Sequence, residues 1–328
     1  MERQQFSDRN NAEGGLFRAS RRAMLSVLGG GLALAASGTR LAAQAQADEG
    51  EADFFNAYDR TKWFTKGEMD GTPWIAPKHG NFDLQDPVDN KLARLKMTGN
   101  LIGKRTYIPM LVRLMLAREE LPGGPILGGA GMFTWQLQVP DPTEYPGLPD
   151  GSILMRSMYT ARYLDPATME PVDELRNPYN GTLMKLEDQL FVENFIIFPK
   201  GGSRFVEEPQ FVDDDPDEPK LSHFKRWGDE LVLFAGGTYS KPGKHQPRFT
   251  ENMWRSSYDD VMDPDREGIA LDYSFCGVNK AFEKPWMGYS EADEDLLLDL
   301  ANGRKFHSVE DIPDFHKRVL LEKYPDRI

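Results

Sequence analysis

The sequence contains a single cysteine, Cys276, and this scarcity excludes any disulfide bond within the chain. Stability must therefore come from burial, to which 19 Phe, 14 Met, 11 Tyr and 6 Trp residues can contribute. Cys276 follows the mainly apolar residues 273–275. Such a setting favours a buried, inert thiol over a nucleophile.

Apolar runs long enough for a membrane-spanning helix, which needs about 20 residues, are also lacking. A run of about fifteen residues, 23–37, follows two adjacent arginines and precedes the small-residue site at 45–47. This order is typical of a cleaved export signal, and the arginine pair indicates the twin-arginine (Tat) route. We expect the Tat translocase to export the folded chain to the periplasm, with cleavage near Ala47 and no stable membrane anchor.

Positive charge is scarce in what remains. Residues 1–47 hold six basic and three acidic residues, so their removal leaves 33 basic against 49 acidic residues and a net charge of −16. A surface of that sign repels nucleic acid and anionic lipid, which excludes both as favoured partners. We expect an N-terminal extension over 48–85 and a single β-rich domain with a C-terminal helical segment over 86–328.

Motifs for metals and phosphates are missing as well. The five histidines show no His-x-His or His-x-x-x-His spacing, and the acidic run 213–218 lacks the glycine and spaced ligands of an EF-hand loop. We predict no metal site and no cofactor, although a site assembled from distant residues stays open. The glycines at 128, 129 and 131 lack the context of a P-loop and predict a loop or tight turn, and no Gly-x-Ser-x-Gly elbow occurs.

Helices are predicted at both ends of the domain. Asp86 followed by Pro87 is a typical start of a helix, and apolar residues recur at helical spacing from there to Gly99. Two further starts, at Ser290 and Ser308, each have an aspartate three residues later, which is the pattern of a capping box. They predict two C-terminal helices through the apolar residues that follow.

Strands are predicted between these helices. Residues 153–163 alternate between two faces, one of which carries two arginines, and 191–198 and 231–234 are apolar segments bounded by turns. Residues 107–116 fit either a strand or a helix, because they are apolar almost throughout. The order indicates an α+β fold, mainly antiparallel β. A sheet of this size must close or be covered, so we expect a barrel-like or strongly curved sheet with flanking helices.

Several turn motifs resemble those of DUF1838, a bacterial family of unknown function whose members often carry Tat signals. The residues that carry the resemblance are Asp86-Pro87, Lys96, Gly99, Gly103, Tyr163, Asp165, Thr168, Arg176-Asn177-Pro178-Tyr179 and Gly181. The chain departs from the family pattern at Met169 and Asn180, where a glycine and a threonine are expected, and lacks a tryptophan at 174–175. These motifs mark turns, so the resemblance implies no activity.

Aromatic and arginine side chains in the strand-rich middle point to a small-molecule cavity, in which an apolar ligand packs on rings and a polar group fixes its end. As an enzyme, the chain would be a cofactor-independent lyase, isomerase or hydrolase acting on an apolar or aromatic compound. The proton-transfer candidates are His245, Tyr159 and Tyr258, the anion stabilisers are Arg156 and Arg176, and the ligand-binding candidates are Trp135, Tyr179, Trp254 and Arg255.

Two other interpretations stay open. The chain could be a non-catalytic, lipocalin-like carrier of a hydrophobic ligand. The same residues could also be ordinary core aromatics, with arginines that extend to solvent. An enzyme requires polar and titratable side chains that converge in the cavity, whereas a carrier requires a nearly apolar cavity with one polar anchor.

Overall fold

The computed structural model describes residues 69, 71–117, 124–206, 215–239, 248–290, 292–293 and 295–327. The strands are β1 Thr106–Ala117, β2 Pro125–Gln138, β3 Ile153–Leu164, β4 Glu174–Arg176, β5 Leu183–Lys185, β6 Gln189–Ile197, β7 Ser203–Phe205, β8 His223–Trp227, β9 Glu230–Tyr239, β10 Arg248–Ser257, β11 Asp272–Lys280 and β12 Leu296–Arg304. The helices are α1 Pro87–Thr98, α2 Tyr258–Met262 and α3 Asp314–His316, with a π-helix at Lys317–Leu321 and 3₁₀ turns at Ala281–Glu283, Pro285–Met287 and Pro325–Arg327.

Ten of the described strands form one antiparallel sheet in the order β7-β6-β3-β2-β1-β12-β11-β10-β9-β8. The prediction of a mainly antiparallel β fold with few helices is therefore confirmed. Pairing of β1 with β12 joins the first half of the sheet to the second. In the described part of the chain, β7 and β8 are edges that do not pair with each other, so the sheet is open.

The glycine-rich segment 128–131 lies inside β2, so its prediction as a loop or tight turn was wrong. Gly129 is opposite Val112 of β1 and Tyr163 of β3, in the centre of the sheet. Glycine in a strand interior marks a place where another group comes close to the backbone. Pairing on both sides holds these glycines in an extended ladder despite their weak preference for strands.

The leucine-rich segment predicted as the first C-terminal helix is instead β12, a central strand between β1 and β11. The Ser290 backbone N–H and hydroxyl do donate to Asp293 Oδ2, at 2.7 and 2.8 Å. That turn does not start a helix, because alternate residues of 296–301 are buried against two neighbouring strands. The same tertiary pairing resolves the ambiguous segment 107–116 as strand β1.

Helix α1 confirms the predicted helix after Asp86, whose Oδ1 accepts from the backbone N–H groups of Val88 and Asp89 at 2.9 and 3.0 Å. The helix connects the two edges of the sheet. Asn90 exchanges hydrogen bonds with the backbone of Ser222, which precedes β8, and Lys91 Nζ donates to Pro199 O, which follows β6, at 2.8 Å.

The C-terminal helical segment covers one face of the sheet, the outer face. Its apolar residues, including Val319 and Leu320, pack against Ala130, Met132 and Leu164. The second predicted C-terminal helix is thus confirmed as a short α-helix that continues into a π-helix. The opposite, inner face carries the main hydrophobic core and packs against α1.

Cys276 is partly exposed on β11 rather than buried, which corrects the expected burial of its thiol. Partial burial first, and then the charges of Glu251 and Asp299, raise the pKa of the Cys276 thiol. A raised pKa keeps the thiol protonated near neutral pH, when it is a poor nucleophile.

None of the helices in the described residues is long and apolar enough to cross a membrane. The predicted signal at 1–47 and most of the extension at 48–85 lie outside the described residues.

Candidate active site

A cavity lies at the inner face of the sheet, beside residues 281–289. Its walls are formed by Val112, Leu114, Gly128, Gly129, Tyr159, Ala161, Arg162, Tyr163, Gln189, Lys284 and Asp299. Its volume is about 20 Å³. Measured in the same way, one water molecule needs about 10–15 Å³. The cavity therefore has room for about one water molecule, and an organic molecule fits only if its walls move.

The glycines of β2 make room for a phenol side chain. A Cβ atom on Gly131 would lie 2.6 Å from the Tyr159 hydroxyl oxygen, and one on Gly129 would lie 3.2 Å from Val112 Cβ. Both glycines are on the inner face, as their pairing with Ala161 and Tyr163 shows. The absence of side chains here lets Tyr159 extend over β2 towards the cavity.

Tyr159 is fully buried, with 0% of its surface exposed. Its ring packs between Phe133 and Phe191, with centroid distances of 4.6 and 4.7 Å. The hydroxyl has no hydrogen-bond partner among the described residues. Burial raises the pKa of the Tyr159 phenol well above its ordinary value, and nearby Asp299 adds to the rise. The hydroxyl thus stays protonated and is a free hydrogen-bond donor.

Asp299 is the acidic group of the cavity. It lies on β12 opposite Leu114 of β1 and Gly277 of β11, with 1% of its surface exposed. Its Oδ1 has no hydrogen-bond partner in the part of the chain that the structure describes. Burial raises the pKa of the Asp299 carboxyl, and the positive charge of Lys284 opposes the rise.

Other polar side chains frame these two groups. Gln189 Nε2 donates to the Tyr163 hydroxyl oxygen, and Tyr273 donates its hydroxyl proton to Asn252 Oδ1 at 2.8 Å. Burial raises the pKa values of Tyr163 and Tyr273 as well, so both phenols remain neutral. Such a concentration of buried polar groups on the inner face of a sheet is unusual for an apolar core.

Residues 281–289 and the β4–β5 hairpin, residues 174–185, pack together beside the cavity, and we name them the cover. Asn177 donates from Nδ2 to Met287 O at 2.8 Å, and Asn180 donates to Met287 O and Gly288 O at 3.0 and 3.1 Å. The Asn-Pro-Tyr-Asn turn therefore attaches the hairpin to residues 281–289. Lys284, on the cover, contributes to the cavity wall.

Three of the residues predicted from the sequence lie on the inner face: Tyr159, Trp135 and Trp254. Trp135 donates from Nε1 to Ser157 Oγ at 2.8 Å and is part of the core. Trp254 packs against Tyr273 with a centroid distance of 5.5 Å. Of the three, Tyr159 lines the cavity.

The predicted arginines do not point into the cavity. Arg156 pairs with Glu144 at 3.3 Å on the face opposite Tyr159, and Arg255 pairs with Glu230 at 3.6 Å and Asp272 at 3.5 Å. Arg176 is on the hairpin, where its Nη1 donates to Gly181 O at 2.6 Å.

The other predicted residues are also away from the cavity. The Tyr179 hydroxyl donates to Gly124 O at 3.0 Å, and Tyr258 begins α2 with the Arg226 guanidinium 3.9 Å from its ring centre. His245 lies outside the described residues.

Sequence reasoning missed Asp299, Lys284, Tyr163 and Gln189. For Asp299 a signal was present, because it is a lone acidic residue between leucines at 298 and 300. Had 296–301 been interpreted as a strand, its alternation would have placed Asp299 on the same face as two buried apolar positions.

Replacing Gly131 by alanine is expected to destabilise the protein by about 1–3 kcal/mol, because the new methyl group overlaps the Tyr159 hydroxyl. Chemical denaturation would measure the change in the free energy of unfolding. The matched control is Gly124→Ala, whose Cβ meets nothing within 4 Å and which should change stability by less than about 0.5 kcal/mol. Equal effects at both positions would contradict the close contact.

Within the described ranges, no three His, Cys, Asp or Glu side chains are grouped so that they could hold a metal ion. Comparisons with family models, with curated proteins and with solved structures found no match. The resemblance to DUF1838 therefore stays a prediction.

Proposed function

We propose that the chain is a cofactor-independent enzyme that moves a proton on a small, uncharged and mainly apolar molecule with one oxygen-containing group. One observation carries this proposal: the Tyr159 hydroxyl and Asp299 Oδ1 are buried at the same cavity without hydrogen-bond partners among the described residues. Buried polar groups are normally paired, so two unpaired ones at one cavity call for an explanation, and a catalytic role supplies one. An isomerase or lyase fits these groups best.

The two groups suit complementary roles. Asp299 acts as the base that removes a proton from carbon, and its raised pKa brings it closer to the pH at which a general base works best. Tyr159 donates a hydrogen bond to the oxygen on which negative charge develops. In an isomerisation, Asp299 returns the same proton to another carbon, so no further reactant is needed. In a lyase reaction, it transfers the proton to the leaving group.

The cavity wall favours an uncharged substrate. Val112, Leu114 and Ala161 supply apolar surface, and Gly128 and Gly129 complete the wall without adding polar side chains. Lys284 is the counterpart of Asp299 rather than an anchor for an anionic substrate, because its charge lowers the pKa of that carboxyl. A substrate fits as the walls of the cavity move apart.

The shape of the sheet supports the same proposal. Helix α1 reaches both edges, and Lys220 N donates to Lys200 O at 2.9 Å, so the segments that flank β7 and β8 come close. We propose that the sheet is strongly curved, as in a half-barrel, with the cavity on its concave face. Such a shape encloses small ligands. The predicted export signal supports a periplasmic location for this enzyme.

A carrier of a hydrophobic ligand is the second candidate, favoured by the apolar wall residues. It is less well supported, because a carrier needs one polar anchor and this cavity offers several titratable groups.

A proton-exchange experiment separates the two candidates. The protein is incubated in D₂O with small neutral ketones such as cyclohexanone and acetophenone, and NMR follows deuterium incorporation next to the carbonyl. The proposal predicts exchange at least about 100-fold above the rate without protein for some members of the panel. Arg156→Ala, on the opposite face, should exchange at the wild-type rate. Ketone binding without accelerated exchange would support the carrier instead.

A further inference from the structure

Lys284 is a buried cation whose role the proposed reaction leaves open. It lies between the two 3₁₀ turns of the cover, with 3% of its surface exposed, and lines the same cavity as Asp299. Lysine is rarely buried to this extent, since removing its charge from water is costly. Its position opposite a buried carboxyl offsets part of that cost for both groups.

Among the residues that the structure describes, few other charges face Asp299. Tyr159 and Tyr163 reach it from β3 and Tyr273 from β11, and all three are neutral phenols. Gln189 of β6 is uncharged. Arg162 is the second basic residue among the described wall residues, but its Nε pairs with Asp188 Oδ2 at 3.3 Å. The charge that opposes the burial of Asp299 is therefore that of Lys284.

This inference rests on the proposed function: we propose that Lys284 is a positioning residue that holds Asp299 ionised inside the cavity. Burial favours the protonated form of Asp299, and a protonated carboxyl cannot accept a proton from carbon. Lys284 lines the same cavity, stabilises the carboxylate and so assigns Asp299 the role of base rather than acid.

The test is a titration of Asp299 in the substrate-free protein. Because no reaction is needed, its outcome does not depend on whether the proposed reaction occurs. Aspartate labelled with ¹³C at the carboxyl group is followed by NMR, and Asp299→Asn identifies the resonance. Lys284→Met should raise the pKa of Asp299 by about one unit or more. Lys284→Arg, which keeps the charge, should leave it near the wild-type value. An unchanged pKa in Lys284→Met would overturn the proposal.

Lys280→Met is the matched control. Lys280 lies four residues before Lys284, at the end of β11, and its position is on the face opposite Asp299. The substitution removes the same charge. It should not move the titration of Asp299. If the proton-exchange activity is found, its lower pH limit should shift upward in Lys284→Met by the same amount as the titration. A loss of activity without that shift would show that Lys284 has only a structural role.

The proposal can still be tested if the Lys284→Met protein does not fold at pH 8. If the unpaired Asp299 charge causes the failure, folding should return at acidic pH or in the double variant with Asp299→Asn. An unfolded protein under both conditions would contradict the proposal, because loss of packing would then explain the defect.

Discussion

Replacing Lys305 by methionine is expected to lower the free energy of unfolding by about 1–3 kcal/mol. Lys305 Nζ donates to the carbonyl oxygens of Lys96, Met97 and Gly99, at 2.8, 2.8 and 2.9 Å. These carbonyls form the C-terminal end of α1, where unpaired acceptors and the helix dipole both favour a cation. Methionine fills the space of the side chain but leaves three buried acceptors unpaired.

The consequence extends beyond the helix. Helix α1 connects the two edges of the sheet through Asn90 and Lys91, so loosening its C-terminal end should also loosen those contacts. Urea denaturation would measure the loss, with Lys104→Met as the control, because Lys104 is exposed. A loss below about 1 kcal/mol in Lys305→Met would show that Lys305 does not hold the helix end in place.

Replacing Asp299 by asparagine is expected to affect both activity and stability. It should lower proton exchange on a ketone by about 10²–10⁴-fold, because an amide cannot accept the proton. Its effect on stability should change with pH, because the carboxyl titrates and the amide does not. Lys284 stays buried in both proteins, so the loss of its carboxylate partner opposes the relief from burying the Asp299 charge.

The stability effect has a defined dependence on pH. The folded-state pKa of Asp299 is raised above its ordinary value of 3.8, so the folded chain holds this proton more tightly than the unfolded chain does. The contribution of Asp299 to stability is therefore fully present below about pH 4 and is lost as the pH rises through the folded-state pKa. Asparagine does not titrate, so the stability difference should shift in favour of asparagine as the pH rises from 4 through that pKa.

Denaturation curves of wild type and Asp299→Asn at several pH values would measure this difference. Asp265→Asn is the control, since it makes the same substitution at an exposed position. A pH-independent difference for Asp299→Asn, or undiminished proton exchange, would count against the assigned role.

Local patterns allowed much of the fold to be predicted. Helix α1 follows from Asp86 and its proline, which act within one turn of the chain. Strand β3 follows from strict alternation, because its two faces differ in polarity. Both elements depend on neighbours in sequence, which is the information that a sequence pattern contains.

The central strands could not be predicted in this way. In β12 the leucine run fits a helix as well as a strand, and pairing with β1 and β11 decides between them. In β2 the glycines resemble a turn in the sequence. In the structure, the Tyr159 side chain of the neighbouring strand occupies the space that a side chain at Gly131 would take. Long-range pairing fixes both strands, and the same pairing brings Asp299 and Tyr159 to one cavity.

The candidate site shows the same division. Tyr159 was predicted because it is a titratable aromatic residue on an alternating strand, and it lines the cavity. The arginines were predicted from the same composition, but Arg156 and Arg255 find acidic partners away from the cavity. Whether a charged side chain points to a cavity or to a surface partner depends on the register of the strands, which composition does not specify.

A crystal structure with a ketone from the exchange panel bound would test the central claim most directly. The account predicts that the ketone lies in the cavity beneath the cover, with its oxygen within hydrogen-bonding distance of the Tyr159 hydroxyl and an adjacent carbon beside the Asp299 carboxylate. A ketone bound elsewhere, or with its oxygen turned away from Tyr159, would contradict it.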